Sequence, residues 1–305
     1  MRTMLFNYPI AFSLSLSSVC NARCIWCPIG QRLNKSGKSK FMSLDIVDKI
    51  LKDTTDKKIQ TIFLVDMGEP LLNPDFKEIV LRCKKVHPDA SYWLCSNFFL
   101  MDDDMARFVL DNEFSAVGLN IDGITEEAYY AVKHLPLKVV MGNLMNFLRL
   151  REEVRNKEPG RKLPSLRVSI TTEPRYFMEI GEPERATVKD ETRKICEFMR
   201  GVLEHEDYTF LTVSATWAER RKWARPREGS TVCSNMSAVG QKCCIDTDGN
   251  IIPCCLDYDS ECKFGNVMDN TIEEIWNGDK RKKFLGSIIN LRYADIGLPC
   301  SICHD

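Results

Sequence analysis

The chain has 305 residues, 44% of them hydrophobic, with 42 Lys and Arg against 43 Asp and Glu; it can bury a substantial core, and its balanced charge argues for no nucleic acid and no membrane partner. No apolar run approaches the eighteen or so residues of a membrane span, and near the start Phe12, Leu14 and Leu16 alternate with Ser13, Ser15 and Ser17, the period of a half-buried strand rather than the unbroken core of an export signal. Fourteen cysteines without a leader or a short loop-rich chain exclude a secreted disulfide scaffold, and their crowding into two clusters points to metal sites in a reducing, cytoplasmic compartment.

In chain order, that first strand runs into the loop "SVCNARCIWCP", which holds Cys20, Cys24 and Cys27. A helix follows from near Ser43, with Leu44, Val47, Ile50 and Leu51 on one face. The strand "IQTIFLV" ends in Asp66-Met67-Gly68-Glu69-Pro70, and Phe76, Ile79, Val80 and Cys83 mark the next helix. Strand "SYWLCS" precedes a helix at 102 to 112, and strand "SAVGLNI" precedes helical stretches around 125 to 133 and 142 to 156. After the polar segment "RNKEPGRK" come strand "LRVSITT", a helix carrying Ile195, Phe198, Met199, Val202 and Leu203, and a sixth strand, "YTFLTVSATW". Six strand-helix units imply an α/β fold with a parallel sheet and right-handed crossovers, a partial (β/α)6 TIM-like barrel over residues 1–217. Active groups of such barrels sit at the C-terminal strand ends. The cysteine loop, Gly68-Glu69, Ser96-Asn97 and Asp122-Gly123 all fall there.

Residues 218–230 read as a basic linker, in which "RRKWARPR" holds five cations in eight positions. A solvated face accounts for it; as an anion patch, Arg220, Arg221, Lys222, Arg225 and Arg227 would meet a phosphate or nucleotide carrier. Residues 231–305 then form a small cysteine-rich α+β domain. In it "CCIDTDGNIIPCC" is a hairpin centred on Asp248-Gly249, with Pro253 placing the returning strand at an edge. A helix capped by Asn270, with Glu273 three residues on, buries Ile272, Ile275, Trp276 and Phe284. Cys83, Cys95 and Cys196, lying on helices and a strand, read as buried thiols.

Three thiolates in one short loop suit a cofactor that needs convergent soft ligands. No fourth cysteine is near, and three cysteines on a four-iron cluster leave one iron open to another ligand. Zinc is the rival reading, although a structural zinc site closes with four ligands, and redox thiols are another.

"CNARCIWCP" resembles the signature loop of the radical S-adenosylmethionine (SAM) enzymes, a Cys-x3-Cys-x2-Cys with an aromatic before the last cysteine, and "GEP" follows the second strand as in that family. The resemblance implies that Cys20, Cys24 and Cys27 bind a catalytic 4Fe-4S cluster whose open iron is chelated by SAM, with Trp26 near the adenine and Gly68, Glu69 and Pro70 around the methionyl amino group. It extends to "SN" at 96–97 and "IDG" at 121–123, where relatives often show Thr-Asn-Gly and Ser-Ile-Asp-Gly. Asn97 and Asp122 are carried over on that basis. Phe98 stands in place of the usual Gly, and Asn120 where a Ser often contacts SAM, as its possible substitute.

The C-terminal region is similar to the shortened SPASM type, called twitch. By that resemblance Cys233, Cys254, Cys300 and Cys303 hold one auxiliary 4Fe-4S cluster. Cys243, Cys244, Cys255 and Cys262 remain over. A two-residue turn puts Cys243 opposite Cys254, where it would be able to displace Cys233 as ligand; otherwise the four are buried thiols.

What the resemblance implies is an oxidoreductase. A 5'-deoxyadenosyl radical abstracts hydrogen from a small-molecule substrate (a sugar, aminocyclitol or nucleotide-linked compound), and the auxiliary cluster accepts an electron in the two-electron oxidation of an alcohol. Flavodoxin or ferredoxin would be the reducing partner. The alternative is radical crosslinking or epimerisation of a ribosomally made peptide, which the lack of room for a leader-recognition domain before residue 11 disfavours. No base is singled out for the proton an alcohol must lose, Asp122, Glu173 and Lys242 being equally conceivable.

Overall fold

The computed structural model describes residues 6–25, 27–29, 39–171, 182–204, 206–212, 233, 235–297 and 299–303. Its elements are β1 (Ala11–Leu14), α1 (Leu44–Thr54), β2 (Thr61–Leu64), α2 (Phe76–Val86), β3 (Ser91–Ser96), α3 (Asp103–Asp111), β4 (Ala116–Asn120), α4 (Glu126–Lys133), α5 (Leu137–Lys157), β5 (Ser165–Thr171), α6 (Glu182–Val202) and β6 (Tyr208–Thr212). They continue with α7 (Met236–Gln241), β7 (Lys242–Ile245), β8 (Asn250–Ile252), β9 (Gly265–Asn266), α8 (Ile272–Trp276) and α9 (Asp279–Ile289). Parallel strands alternating with helices make this the mixed α/β partial barrel that the apolar periodicity predicts. Among the described residues no helix is long and apolar enough to cross a membrane.

Contacts divide the chain into two compact units, neither continuous in sequence: Met1–Val19 with Arg32–Ser91 and Ala215–Asp305, and Cys20–Gln31 with Tyr92–Ser214. In the first, β1 lies between β2 and β7 and is parallel to both. β8 and β9 then add in antiparallel fashion. The hairpin therefore extends the row begun by β1. Ser43 caps α1 through its side chain, which accepts from Ile46 N, and Val47, Ile50 and Leu51 bury its apolar face.

Three details of the cysteine-rich region differ from expectation. The hairpin register pairs Cys244 with Ile252 and Ile245 with Ile251, because Asp246 to Gly249 make a longer loop in which the Asp246 carboxylate accepts from the Asp248 and Asn250 amides. Continued by one residue, that register puts Cys243 across from Pro253 rather than Cys254, with Phe12 of β1 as its other neighbour, and removes the geometric ground for its replacing Cys233. Strand β8 is covered by β9, so Pro253 lies just past a central strand and marks no edge. Thr271, not Asn270, caps α8, in a reciprocal box with Glu274. The predicted helix is also two, separated around Gly278, though Ile272, Ile275, Trp276 and Phe284 are all buried.

In the second unit β3, β4, β5 and β6 run parallel in that order. One face buries Tyr92, Leu94, Val117, Leu119, Leu166, Val168 and Ile170, and α3 packs on α5. The other face is less covered, and Cys95, expected to be buried, is exposed there; Cys83 is buried and Cys196 half-buried. Arg151 of α5 makes a two-pronged bond to Asp207 at 2.7 and 2.6 Å, and Asp207 also accepts from the Leu166 and Glu204 amides. Burial alone would raise the Asp207 carboxyl, but the guanidinium and the two amides outweigh it and hold its pKa below the usual range.

Asp207→Ala should therefore destabilise the protein by about 3 kcal/mol, since it takes the two-pronged partner from the buried Arg151 and leaves it only Glu204. The stabilisation is fully present above the unfolded carboxyl's pKa of about 3.9 and is lost as pH falls through the lower folded value. Urea midpoints between pH 7 and pH 3 would show the wild type converging on the variant; parallel curves would count against the pair.

Candidate functional site

In the second unit the cysteine loop is clipped by its backbone to the end of α4: Arg23 N donates to Lys133 O at 2.9 Å and Ile25 N to Val132 O at 3.1 Å. His134 in the left-handed region ends that helix. Cys20, Cys24 and Cys27 are in no disulfide and are half-buried. The Cys20 sulfur accepts from Ala22 N at 3.4 Å and from Asn97 Nδ2 at 3.8 Å, while Asn97 Nδ2 also reaches Asn21 Oδ1 at 2.7 Å. Asn97 thus ties the end of β3 to the first cysteine.

The turn that carries Asn97 explains the Gly-to-Phe departure. Phe98 has φ 63°, a conformation in which glycine carries no steric cost. Here a buried ring offsets the cost: Phe98 packs edge-on against Phe147 at 5.8 Å, and Asn143 Nδ2 holds the Phe98 and Phe99 carbonyls at 2.8 and 3.0 Å. The backbone keeps the glycine-like turn although the residue has changed.

At the end of β4, Asn120 and Asp122 converge on one cation. Lys133 Nζ lies 2.6 Å from Asp122 Oδ2, with side-chain exposures of 5% and 2%, and also donates to Asn120 Oδ1. Asn120 Nδ2 in turn donates to Ser169 Oγ at 3.1 Å. Burial would depress the Lys133 ammonium, but the Asp122 carboxylate, the Cys24 sulfur and Tyr129 outweigh it and raise its pKa. Burial raises the Cys24 thiol, and the Lys133 charge opposes that rise. Lys133 therefore favours the thiolate form that a metal requires. Sequence reading passes over it, because a lysine in the last turn of a helix is an ordinary complement to the helix dipole.

In the first unit Gly68 is required on two counts. Its φ is +65°, and a Cβ there would stand 2.4 Å from both the Ser17 and Val19 carbonyl oxygens. Glu69, 2% exposed, donates its amide to Val19 O and accepts from Leu71 N, capping a short turn that begins at Pro70.

The same unit gathers the later cysteines. Cys233, Cys254, Cys300 and Cys303 line one small cavity together with Val239, Pro253, Leu256, Phe284, Ile288 and Tyr293. Tyr293 Oη accepts from Cys233 N at 3.0 Å, and Cys300 and Cys303 sit in a single turn. Burial, with Cys255 next, holds the Cys254 thiol well above its ordinary value. A hydrogen bond with the Cys262 thiol, followed by burial, raises Cys300. Cys243 and Cys244 are buried, whereas Cys255 and Cys262 are only half-buried. Among the described residues no three His, Cys, Asp or Glu side chains are close enough to hold a single ion as they stand. The donor sets suit a larger group: three thiols met by N–H donors and a cation in one unit, four thiols around an apolar cavity in the other. Trp26 and the basic cluster Arg220, Arg221, Lys222, Arg225 and Arg227 lie outside the described residues, as does Glu173.

A profile of the radical SAM superfamily matches residues 14–158, and one of the SPASM iron-sulfur cluster-binding domain matches residues 233–304. The chain is 24% identical over 302 residues to a cysteine-type anaerobic sulfatase-maturating enzyme of Clostridium novyi, covering 90% of this chain and 80% of that one. Its fold is similar to that of BtrN in complex with AdoMet and 2-DOIA, with a TM-score of 0.63 at 13% identity over 97% of this chain and 93% of the other. It is also similar to Streptococcus suis SuiB bound to precursor peptide SuiA, with a TM-score of 0.59 at 12% identity over 94% and 68%.

Lys133→Met should cost about 3–5 kcal/mol in chemical unfolding, because Asp122 is left charged and buried. Adding Asp122→Asn should recover most of that loss, since no charge then remains unpaired. A double variant no more stable than the single one would show that the pair is not what Lys133 contributes.

Proposed function

The chain is a radical SAM protein with a C-terminal SPASM iron-sulfur domain, and on that premise we propose that it oxidises an alcohol of a small molecule by two electrons, with the auxiliary cluster as electron acceptor. Its cofactors are a catalytic iron-sulfur cluster, SAM and auxiliary cluster iron. When bound, the catalytic cluster and SAM supply a 5'-deoxyadenosyl radical able to take hydrogen from an unactivated C–H bond.

In this reading Cys20, Cys24 and Cys27 hold the catalytic cluster, and Asn97 and Lys133 set the charge around their sulfurs. Gly68, Glu69 and Pro70, with Asn97, Asn120 and Asp122, bind SAM. Cys233, Cys254, Cys300 and Cys303 hold the auxiliary cluster. The observation that carries the proposal is the convergence of those four thiols on one cavity. Four protein ligands leave no iron open to substrate, which suits a cluster that moves electrons. Flavodoxin or ferredoxin would supply the reducing electron, and the substrate class is a sugar, aminocyclitol or nucleotide-linked compound.

Two of the three conceivable bases fare differently from one another. Asp122 is engaged by Lys133 in a buried ion pair, which occupies the oxygen a base would use. Burial would lower the Lys242 ammonium, but Cys244 and Asp66 outweigh it and raise its pKa, which makes Lys242 a proton donor rather than an acceptor at neutral pH. A second reading, radical modification of a peptide, draws support from the likeness to SuiB with its precursor peptide and to a sulfatase-maturating enzyme.

Anaerobic reconstitution should give about eight irons per wild-type chain and about four in Cys254→Ala or Cys300→Ala. Those variants should still cleave SAM to 5'-deoxyadenosine but form no ketone from an aminocyclitol or sugar alcohol. Ketone formation undiminished in the variants would overturn the acceptor role. Turnover of a peptide and of no alcohol would favour the second reading.

A further inference from the structure

The less covered face of the second unit holds a cation that has no counterion among the described residues. Along β4 and β5 that face carries Gly118 and Asn120, then Arg167 and Ser169, the residues two apart that a strand presents to one side. Arg167 is in register with Gly118 on one side and Tyr208 on the other. Its guanidinium lies 3.8 Å above the centre of the Trp93 ring and 5.6 Å from that of Tyr208. Gly118, which has no side chain, separates β3 from β5 and leaves the way open between Arg167 and Trp93; a Cβ there would already stand 3.1 Å from the Cys95 sulfur.

Among the described residues Arg151, Arg167 and Arg281 each bury an Nε without an acceptor, but the other two place their remaining N–H groups on protein partners. Arg151 is paired with Asp207 and Glu204. Arg281 donates to the Trp276 and Val239 carbonyls and stacks on Trp276. Arg167 makes no ion pair among the described residues, and its Nε, like those of the other two, is buried without an acceptor. Stacking on aromatic faces satisfies the flat sides of a guanidinium but not its N–H edge. That edge is the part built to take a carboxylate or phosphate in a two-pronged bond.

We propose that Arg167 anchors an anionic group of the substrate, a carboxylate or a phosphate, two residues deeper along the strands than Asn120 and Ser169. This rests on the reading of the open face as the substrate chamber of a radical SAM enzyme. Such an anchor would fix one end of the substrate so that its reacting C–H lies toward the C-terminal strand ends, where the Cys20 loop and Asn97 stand. The basic cluster at 220–227 plays no part in it.

The reconstituted protein would be titrated with inorganic phosphate and, separately, with succinate, against sodium chloride at matched ionic strength, following tryptophan emission and melting temperature. A saturable response in one or both, weakened at least about tenfold by Arg167→Gln and unchanged by the surface variant Arg193→Gln, is expected. A response to phosphate alone or to succinate alone identifies the anion. Arg167→Lys, which keeps the charge and loses the fork, should fall between wild type and Gln, and it serves if Arg167→Gln does not fold. No saturable response in the wild type, or equal responses in all variants, overturns the proposal. SAM cleavage without substrate, measured in parallel, separates the two readings: its absence in the wild type would refute the radical SAM chemistry, while its retention in Arg167→Gln with lost anion binding is the expected pattern.

Discussion

A lysine ammonium buried beside a carboxylate is the constraint around which the second unit's site is arranged. Lys133 needs Asp122 and Asn120 to be buried at all, since an ammonium without partners in that position would give up its proton. Meeting that need fixes three things together. The end of β4 is held where Asn120 and Asp122 must be, the last turn of α4 is held where its carbonyls receive the cysteine loop, and a positive charge is set close to the Cys24 sulfur. One ion pair thereby joins the local fold of a strand end, the packing of a helix and the electrostatics of a thiol.

The two thiol groups solve opposite problems with the same element. In the loop of Cys20 to Cys27 amide donors meet the Cys20 sulfur and the Lys133 charge opposes the rise that burial imposes on the Cys24 thiol, so the loop is held by polar contacts. Around Cys233, Cys254, Cys300 and Cys303 the walls are Val239, Leu256, Phe284 and Ile288, and the unligated Cys254 thiol stays protonated because burial raises it. Metal binding in such a cavity must expel protons into an apolar wall, so ligation and folding of that region are coupled more tightly there than in the loop. The Cys262 thiol bonded to Cys300 and the Tyr293 hydroxyl that receives the Cys233 amide are the polar contacts that tune it.

The alternation of strands and helices was legible because apolar spacing reports burial directly; the C-terminal strand ends pointed to Asn97 and Asp122, and the family resemblance to Asn120. What the sequence hid depends on exchange between partners. The Asp246 carboxylate accepts two amides and lengthens the hairpin loop, which changes the register of every residue after it and moves Cys243 away from Cys254. Thr271 outcompetes Asn270 as cap because Glu274 can return its bond. Phe98 reads as a break with the family pattern, yet the backbone is unchanged and the strain is offset by a ring contact forty-nine residues away in the chain. Lys133 and Arg167 carry no local signal: each looks like surface charge until the elements that bury it are assembled.

A guanidinium on the open face, without an ion pair among the described residues, constrains both functional readings. A small substrate would meet it with a carboxylate or phosphate of its own, which fits a nucleotide-linked or acidic sugar better than an aminocyclitol, whose protonated amines would be repelled. A peptide would meet it only through Asp, Glu or a C-terminal carboxylate, so recognition would select the sequence or the end presented to the site. In either case Trp93 and Tyr208 hold the cation rigid without neutralising it, and rigidity matters because a radical abstracts whichever hydrogen is nearest. Selectivity for one C–H bond then comes from where the anion is fixed, at a position set by β4 and β5, rather than from contacts to the bond that breaks.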